Sequence, residues 1–254
     1  MWTYLAILFS AALLIGVFLR RLFYHVKGVD PSKTVEEKPK TMDEIHDDEE
    51  EVEKKKRVSG EDRETVVTLC EKAEGQLKAG NEDEAIKCFV QALALDAVHV
   101  EAQHKLAMLY MRKQLFSSAA ALFKSLGAQT GEAVHYSHLG LAHYQQNQFE
   151  EARAAYQKSV DLDPSRPQRF VSLAQVYRSL GQFQNALIAL NKALELDSEN
   201  LDFLLFLAEI QVSLENQEEA EKILKSVLEV APDSEAAKEM YKSLKKAASE
   251  KEDK

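Results

Sequence analysis

An alanine recurs at a fixed period. Ala85, Ala119, Ala152, Ala186 and Ala220 are spaced by 34, 33, 34 and 34 residues. A repeat of this length restricts the chain to architectures that stack one small unit on the next. Four residues after each alanine comes a bulky apolar side chain: Phe89, Phe123, Tyr156, Leu190 and Leu224. Thirteen residues before the last four alanines stand Leu106, Leu139, Leu173 and Leu207, each followed by a small residue: Ala107, Gly140, Ala174 and Ala208. Tyr110 and Tyr177 precede their alanines by nine residues, and Pro164 and Pro232 follow theirs by twelve. An unrelated helical bundle has no reason to hold such a register.

Each unit contains two segments with helical apolar spacing. In the third unit the spacing predicts helices over 133–146 and 149–162. Gly80, Asn147 and Gly181 mark the turn between segments, where a positive φ costs Gly nothing and Asn little. The small residues let paired helices approach, and the bulky ones fill the space beside them. Pro164 and Pro232 stop the second helix. This pattern resembles the tetratricopeptide repeat over residues 66–231, in about five units. Leu139, Gly140, Ala152, Tyr156 and Pro164 all fall in register in the third unit, whereas the first carries Lys72 and Gln76 where apolar residues usually stand. The resemblance implies an all-α superhelical solenoid of helix-turn-helix units. Beyond the last unit, Ser234 is placed to cap a helix with Ala236, Met240, Tyr241, Leu244 and Ala248 on one face. Such a terminal helix covers the last apolar face of a solenoid. The repeat region is therefore expected over 61–248, with a disordered tail at 249–254.

The N-terminus is of another kind. Residues 1–19 carry no charged side chain, and as a helix they would span about 28 Å, close to a hydrocarbon core. Trp2 and Tyr4 suit one interface, Phe23 and Tyr24 the other. A cleaved signal peptide wants Lys or Arg before its apolar run; here Arg20, Arg21 and Lys27 all follow it. Residues 1–24 are thus expected to be a retained single-pass transmembrane helix with the remaining chain in the cytoplasm. Ala12 and Gly16 form a small-xxx-small pair, a weak signal for a homodimer. Residues 25–60 hold almost nothing that packs a core, and a disordered charged linker is expected. Thr41 with Glu44 fits a capping box, and Glu50 with Lys54 and Glu51 with Lys55 are spaced as helical pairs, so a local helix is the other reading.

Net charge is −10, and no basic aromatic patch occurs, which argues against nucleic acid as a partner. Cys70 and Cys88 are the only cysteines, and their 18-residue spacing fits neither a redox pair nor a zinc knuckle. His135 and His138 are placed to share a helix face, but nothing on that helix completes a metal site. His143 holds the register position of Tyr110 and Tyr177 and is expected to pack. No phosphate loop, nucleophile elbow or dinucleotide fingerprint is present. The expectation is a non-enzyme without metal or cofactor.

Recognition remains. In tetratricopeptide folds the first helices line a concave groove that binds peptides or helices. By register, the resemblance puts His104, Met108 and Met111 there from the second unit, and Ser137, Leu141 and Tyr144 from the third. The fourth contributes Val171, Gln175 and Arg178, the fifth Leu205 and Glu209. Tyr144 and Arg178 are the expected anchors. The carboxylate clamp of co-chaperones is not matched: its positions hold Cys70 and Glu74, then Lys105, then Val134 and His138. An N-terminal anchor before such repeats is similar to bacterial membrane-anchored scaffold proteins of this repeat class, which implies a cytoplasmic adaptor at the inner membrane. An organelle outer-membrane import receptor facing the cytosol is the rival, and an extracytoplasmic chaperone would follow from inverted topology.

Overall fold

The computed structural model describes residues 59–252, which form eleven α-helices and no strand. Five antiparallel hairpins follow one another. They are α1 (Gly60–Lys78) with α2 (Glu82–Leu95), α3 (Val100–Arg112) with α4 (Phe116–Thr130), and α5 (Ala133–Gln145) with α6 (Phe149–Leu162). The fourth is α7 (Pro167–Ser179) with α8 (Phe183–Leu196), and the fifth is α9 (Leu201–Ser213) with α10 (Gln217–Val230). A last helix, α11 (Glu235–Glu252), closes the array. The expected membrane anchor at 1–24 and nearly all of the linker lie outside the described residues. Among the described residues, no helix is long and apolar enough to cross a membrane.

Every hairpin turn is three residues long with a left-handed residue at its centre. Gly80, Asn147 and Gly181 fill that position as the sequence suggests, and Gln114 (φ 59°) and Glu215 (φ 61°) fill it in the second and fifth units. A backbone bond from the residue after it closes each turn, as from Leu115 N–H to the Tyr110 carbonyl (2.8 Å) and from Asn216 N–H to the Gln211 carbonyl (2.9 Å). The turn geometry thus recurs even where the side chain opposes it. A Cβ in the left-handed region costs about 1 kcal/mol or more. Glu215→Gly should therefore raise the urea midpoint, by up to about 1 kcal/mol of stability less the extra freedom Gly has in the unfolded chain. A lowered midpoint would show that the turn is held by something other than its φ.

The 33-residue gap has a local cause. Connections between hairpins are four residues long at 96–99, 163–166, 197–200 and 231–234, but only Gly131 and Glu132 join α4 to α5. α4 is one residue longer than α2, α6, α8 and α10, so the unit is one residue short overall. Gly131 (φ 69°) makes the tight exit.

The register residues form the core. Ala85, Ala119, Ala152, Ala186 and Ala220 are all 0 % exposed. Phe89, Phe123, Tyr156, Leu190 and Leu224 are buried beside them. The apolar interior divides into three clusters: one in the first two hairpins, one running from α6 to α11, and a small one between them at the α3–α6 junction. Ser234 caps α11 by accepting the Ala237 N–H (3.3 Å). The buried face of α11 is Ala237, Met240, Tyr241 and Leu244. Ala236, expected on that face, is exposed; Ala237, three and four residues before Met240 and Tyr241, takes its place. The helix continues to Glu252, past Ser249 where a tail was expected.

Candidate functional site

The odd-numbered helices stand side by side and are laced to one another across the hairpins. Lys105 of α3 bonds Glu74 of α1, and lies 3.7 Å from Glu101 on its own helix. The hydrogen bond from Lys105 holds the Glu74 carboxyl below the ordinary carboxylate range. Tyr144 of α5 meets Ser179 of α7 (3.2 Å). Because the Ser179 hydroxyl hydrogen goes to the Gln175 carbonyl, the Tyr144 hydroxyl is the donor. Arg178 of α7 bonds Glu209 of α9, and its guanidinium lies 5.0 Å from the centre of the Phe206 ring.

The expected groove residues fall into three rows along this face, and the rows differ. His104, Ser137, Val171 and Leu205 turn into the seams. The His104 ring packs edge-on against Phe123. The Ser137 hydroxyl bonds buried Ser159 of α6 (2.7 Å). Val171 and Leu205 are half-buried against the core. These four shape the wall more than they meet solvent. In the second row Met108 is 38 % exposed, Gln175 and Glu209 are exposed, and Leu141 is half-buried. In the third row Met111, Tyr144 and Arg178 are half-buried. The accessible strip is therefore Met108, Met111, Leu141, Tyr144 and Gln175, ending at the Arg178–Glu209 pair. Exposed Val134 extends it at the start of α5.

Arg178, an expected anchor, is paired in the free protein with Glu209, another expected groove residue. Sequence spacing hides this, because the two lie 31 residues apart on neighbouring helices. Lys105 is committed in the same way. The strip thus presents apolar and thioether surface with its cations neutralised in place, and an acidic tail finds no ready charge there.

Two further features were not legible. His135 and His138 are joined by His104 from the preceding hairpin, a residue that a search along one helix does not reach. Among the described residues, no group of three His, Cys, Asp or Glu is arranged to hold a metal ion. A cavity of about 210 Å³ opens between α6, α7 and α8, lined by Val160, Phe170, Leu173, Tyr177, Ile188 and Lys192. It is separate from the strip and needs three helices of two hairpins to form. His143, expected to pack, is half-buried and bonded through Nδ1 to Gln148 Oε1 across its turn (2.7 Å).

Tetratricopeptide repeat models match residues 70–133, 133–166 and 177–244. The chain belongs to the tetratricopeptide repeat family. No curated protein matches it in sequence. Among solved structures, MamA is 24 % identical, with a TM-score of 0.62 over 65 % of this chain and 91 % of MamA. YrrB, described as a tetratricopeptide repeat protein with an unusual peptide-binding site, is 19 % identical, with a TM-score of 0.62 over 75 % of this chain and 94 % of its own. A tetratricopeptide repeat protein of Parabacteroides merdae is 16 % identical, with a TM-score of 0.65 over 71 % of this chain and 72 % of its own. These likenesses establish the fold. In this family the first helices line the groove; the corresponding helices here are the odd-numbered ones. The family supports a protein-binding scaffold in general terms.

Proposed function

We propose that this protein is a membrane-tethered cytoplasmic adaptor that recruits a partner protein to the odd-helix face. The observation that carries the binding half is the strip of Met108, Met111, Leu141 and Tyr144, accessible and apolar, beside Lys105 and Arg178 that are already paired. Such a surface suits an amphipathic helix or an extended apolar segment better than an acidic tail. YrrB, with the same fold, is described by its peptide-binding site. The tethering half rests on the uncharged residues 1–19 followed by Arg20, Arg21 and Lys27. Nothing in the site calls for catalysis.

Proximity labelling from the intact chain tests the reading. The double change Tyr144→Ala, Arg178→Ala removes an aromatic ring and the pair that ends the strip. It should abolish labelling of the main partner, while circular dichroism stays close to the wild type. Met108→Glu, at an exposed site, places a charge on the strip without disturbing packing and should do the same. Glu150→Ala with Glu151→Ala, both exposed at the start of α6, should label normally. If that control loses the partner while the strip variants keep it, the working surface lies elsewhere. A C-terminal reporter that behaves as extracytoplasmic would end the topological half alone.

A further inference from the structure

The junction of the second and third hairpins contains a cluster of imidazoles, of which His104 also stands in the wall of the odd-helix face. His104 comes from α3, and His135 and His138 from α5. The His104 ring centre lies 5.5 Å from that of His135 and 6.1 Å from that of His138. His138 stacks on Phe123 of α4 at 4.9 Å. His135 is 4 % exposed. The Nδ1 atoms of His104 and His135 are both buried without a hydrogen-bond partner. Among the described residues, the carboxylate paired with the group is Glu132, whose Oε2 lies 3.4 Å from His135 Nε2. Lys105, adjacent to His104 in the chain, is committed to Glu74 and Glu101.

We infer that these three histidines form an acid-sensitive latch between the second and third repeats. A neutral imidazole is tolerated in an apolar seam; a charged one is not, unless a partner meets it. Here three rings would repel one another once protonated, and a single carboxylate compensates. Burial, followed by the neighbouring imidazoles, holds His138 below the usual histidine range, and burial holds His135 below it as well. The sign is fixed by linkage. When the folded-state affinity for protons is the lower, stability is complete above the unfolded-chain value near 6.5 and declines as pH falls below it. The buried residues at the seam are small: of the eight in its cluster, five are alanines. Acid should therefore open this junction before the others. The inference is independent of what the groove binds.

Urea unfolding between pH 7.5 and 5.5 tests it, in a window that lies above the range where the surface carboxylates titrate. The wild-type midpoint should fall across the window. His138→Phe keeps a ring on Phe123 and removes a titrating site, and His104→Gln removes the ring that faces both His135 and His138 without adding volume. Each should lose a substantial part of the fall. Glu132→Gln removes the compensating charge and should steepen it; Glu132 makes no capping hydrogen bond to α5, so that helix loses no hydrogen bond. His143→Gln, at a turn outside the cluster, should leave the fall unchanged. Backbone hydrogen exchange, corrected for intrinsic rates, should show the added opening at α3–α5. A wild-type midpoint that is flat over this range, or a fall that survives both histidine changes and ignores Glu132→Gln, overturns the latch.

Discussion

Phe123→Ala should destabilise the repeat array by about 3 to 5 kcal/mol, the range for an aromatic side chain removed from a core. It should also divide the unfolding into two steps. Phe123 is 0 % exposed. It belongs to the small cluster at the α3–α6 junction, whose large apolar members are Phe123, Leu126 and Leu139. Repeats hold together through nearest neighbours, so weakening one internal interface uncouples the segments on either side. The core that runs from α6 to α11 is continuous, and that segment should remain folded while the first two hairpins melt. Phe89→Ala is the comparison. Phe89 holds the same register position and is 1 % exposed, but it lies in the terminal cluster, so its loss should fray the array from one end. Hydrogen exchange under rising urea distinguishes the two. A single coincident transition for Phe123→Ala, shifted by less than about 1 kcal/mol, would show that the junction is not the weak seam.

The period of the alanines contained most of this fold. Because the alanine and the bulky residue four after it are buried in every hairpin, one register fixed the helix pairs, and the third-unit boundaries came within a residue of those observed. The turns were legible only where Gly or Asn marked them. Gln114 and Glu215 adopt the same left-handed backbone because the closing bond to the preceding helix imposes it, and side-chain identity does not report that. The groove was legible as a face but not as a surface. Register places His104, Ser137, Val171 and Leu205 on it. Whether they reach solvent depends on neighbours in other units: Phe123 for His104, Ser159 for Ser137. The pairing of Arg178 was hidden for the same reason, since Glu209 is its neighbour only after two hairpins stack. The histidine cluster belongs to this class too. Contacts within a hairpin follow from periodicity, while contacts between hairpins need the superhelix.

Gly140→Ala should destabilise the protein by about 1 to 3 kcal/mol, the cost of overpacking, although Ala is the better helix former by about 1 kcal/mol. A Cβ at residue 140 would meet the Tyr156 ring at 2.8 Å. That ring is 6 % exposed in the main core, and burial pushes its hydroxyl up to about 12, so it has little room to withdraw. Gly127 provides the contrast. A Cβ there would lie 2.9 Å from Cζ of Tyr136, the far end of a half-buried side chain. The ring can swing aside, so Gly127→Ala should be neutral or slightly stabilising. The sister units supply a rescue. They place Ala174 with Leu190 and Ala208 with Leu224, whereas Ala107 accommodates an aromatic because Phe123 leans onto His138 of the next hairpin. Adding Tyr156→Leu to Gly140→Ala rebuilds the fourth-unit pair and should cost less than the sum of the two single changes. Thermal unfolding of the two single variants and the double gives the coupling. Strict additivity would mean that residue 140 is glycine for a reason other than the ring it faces.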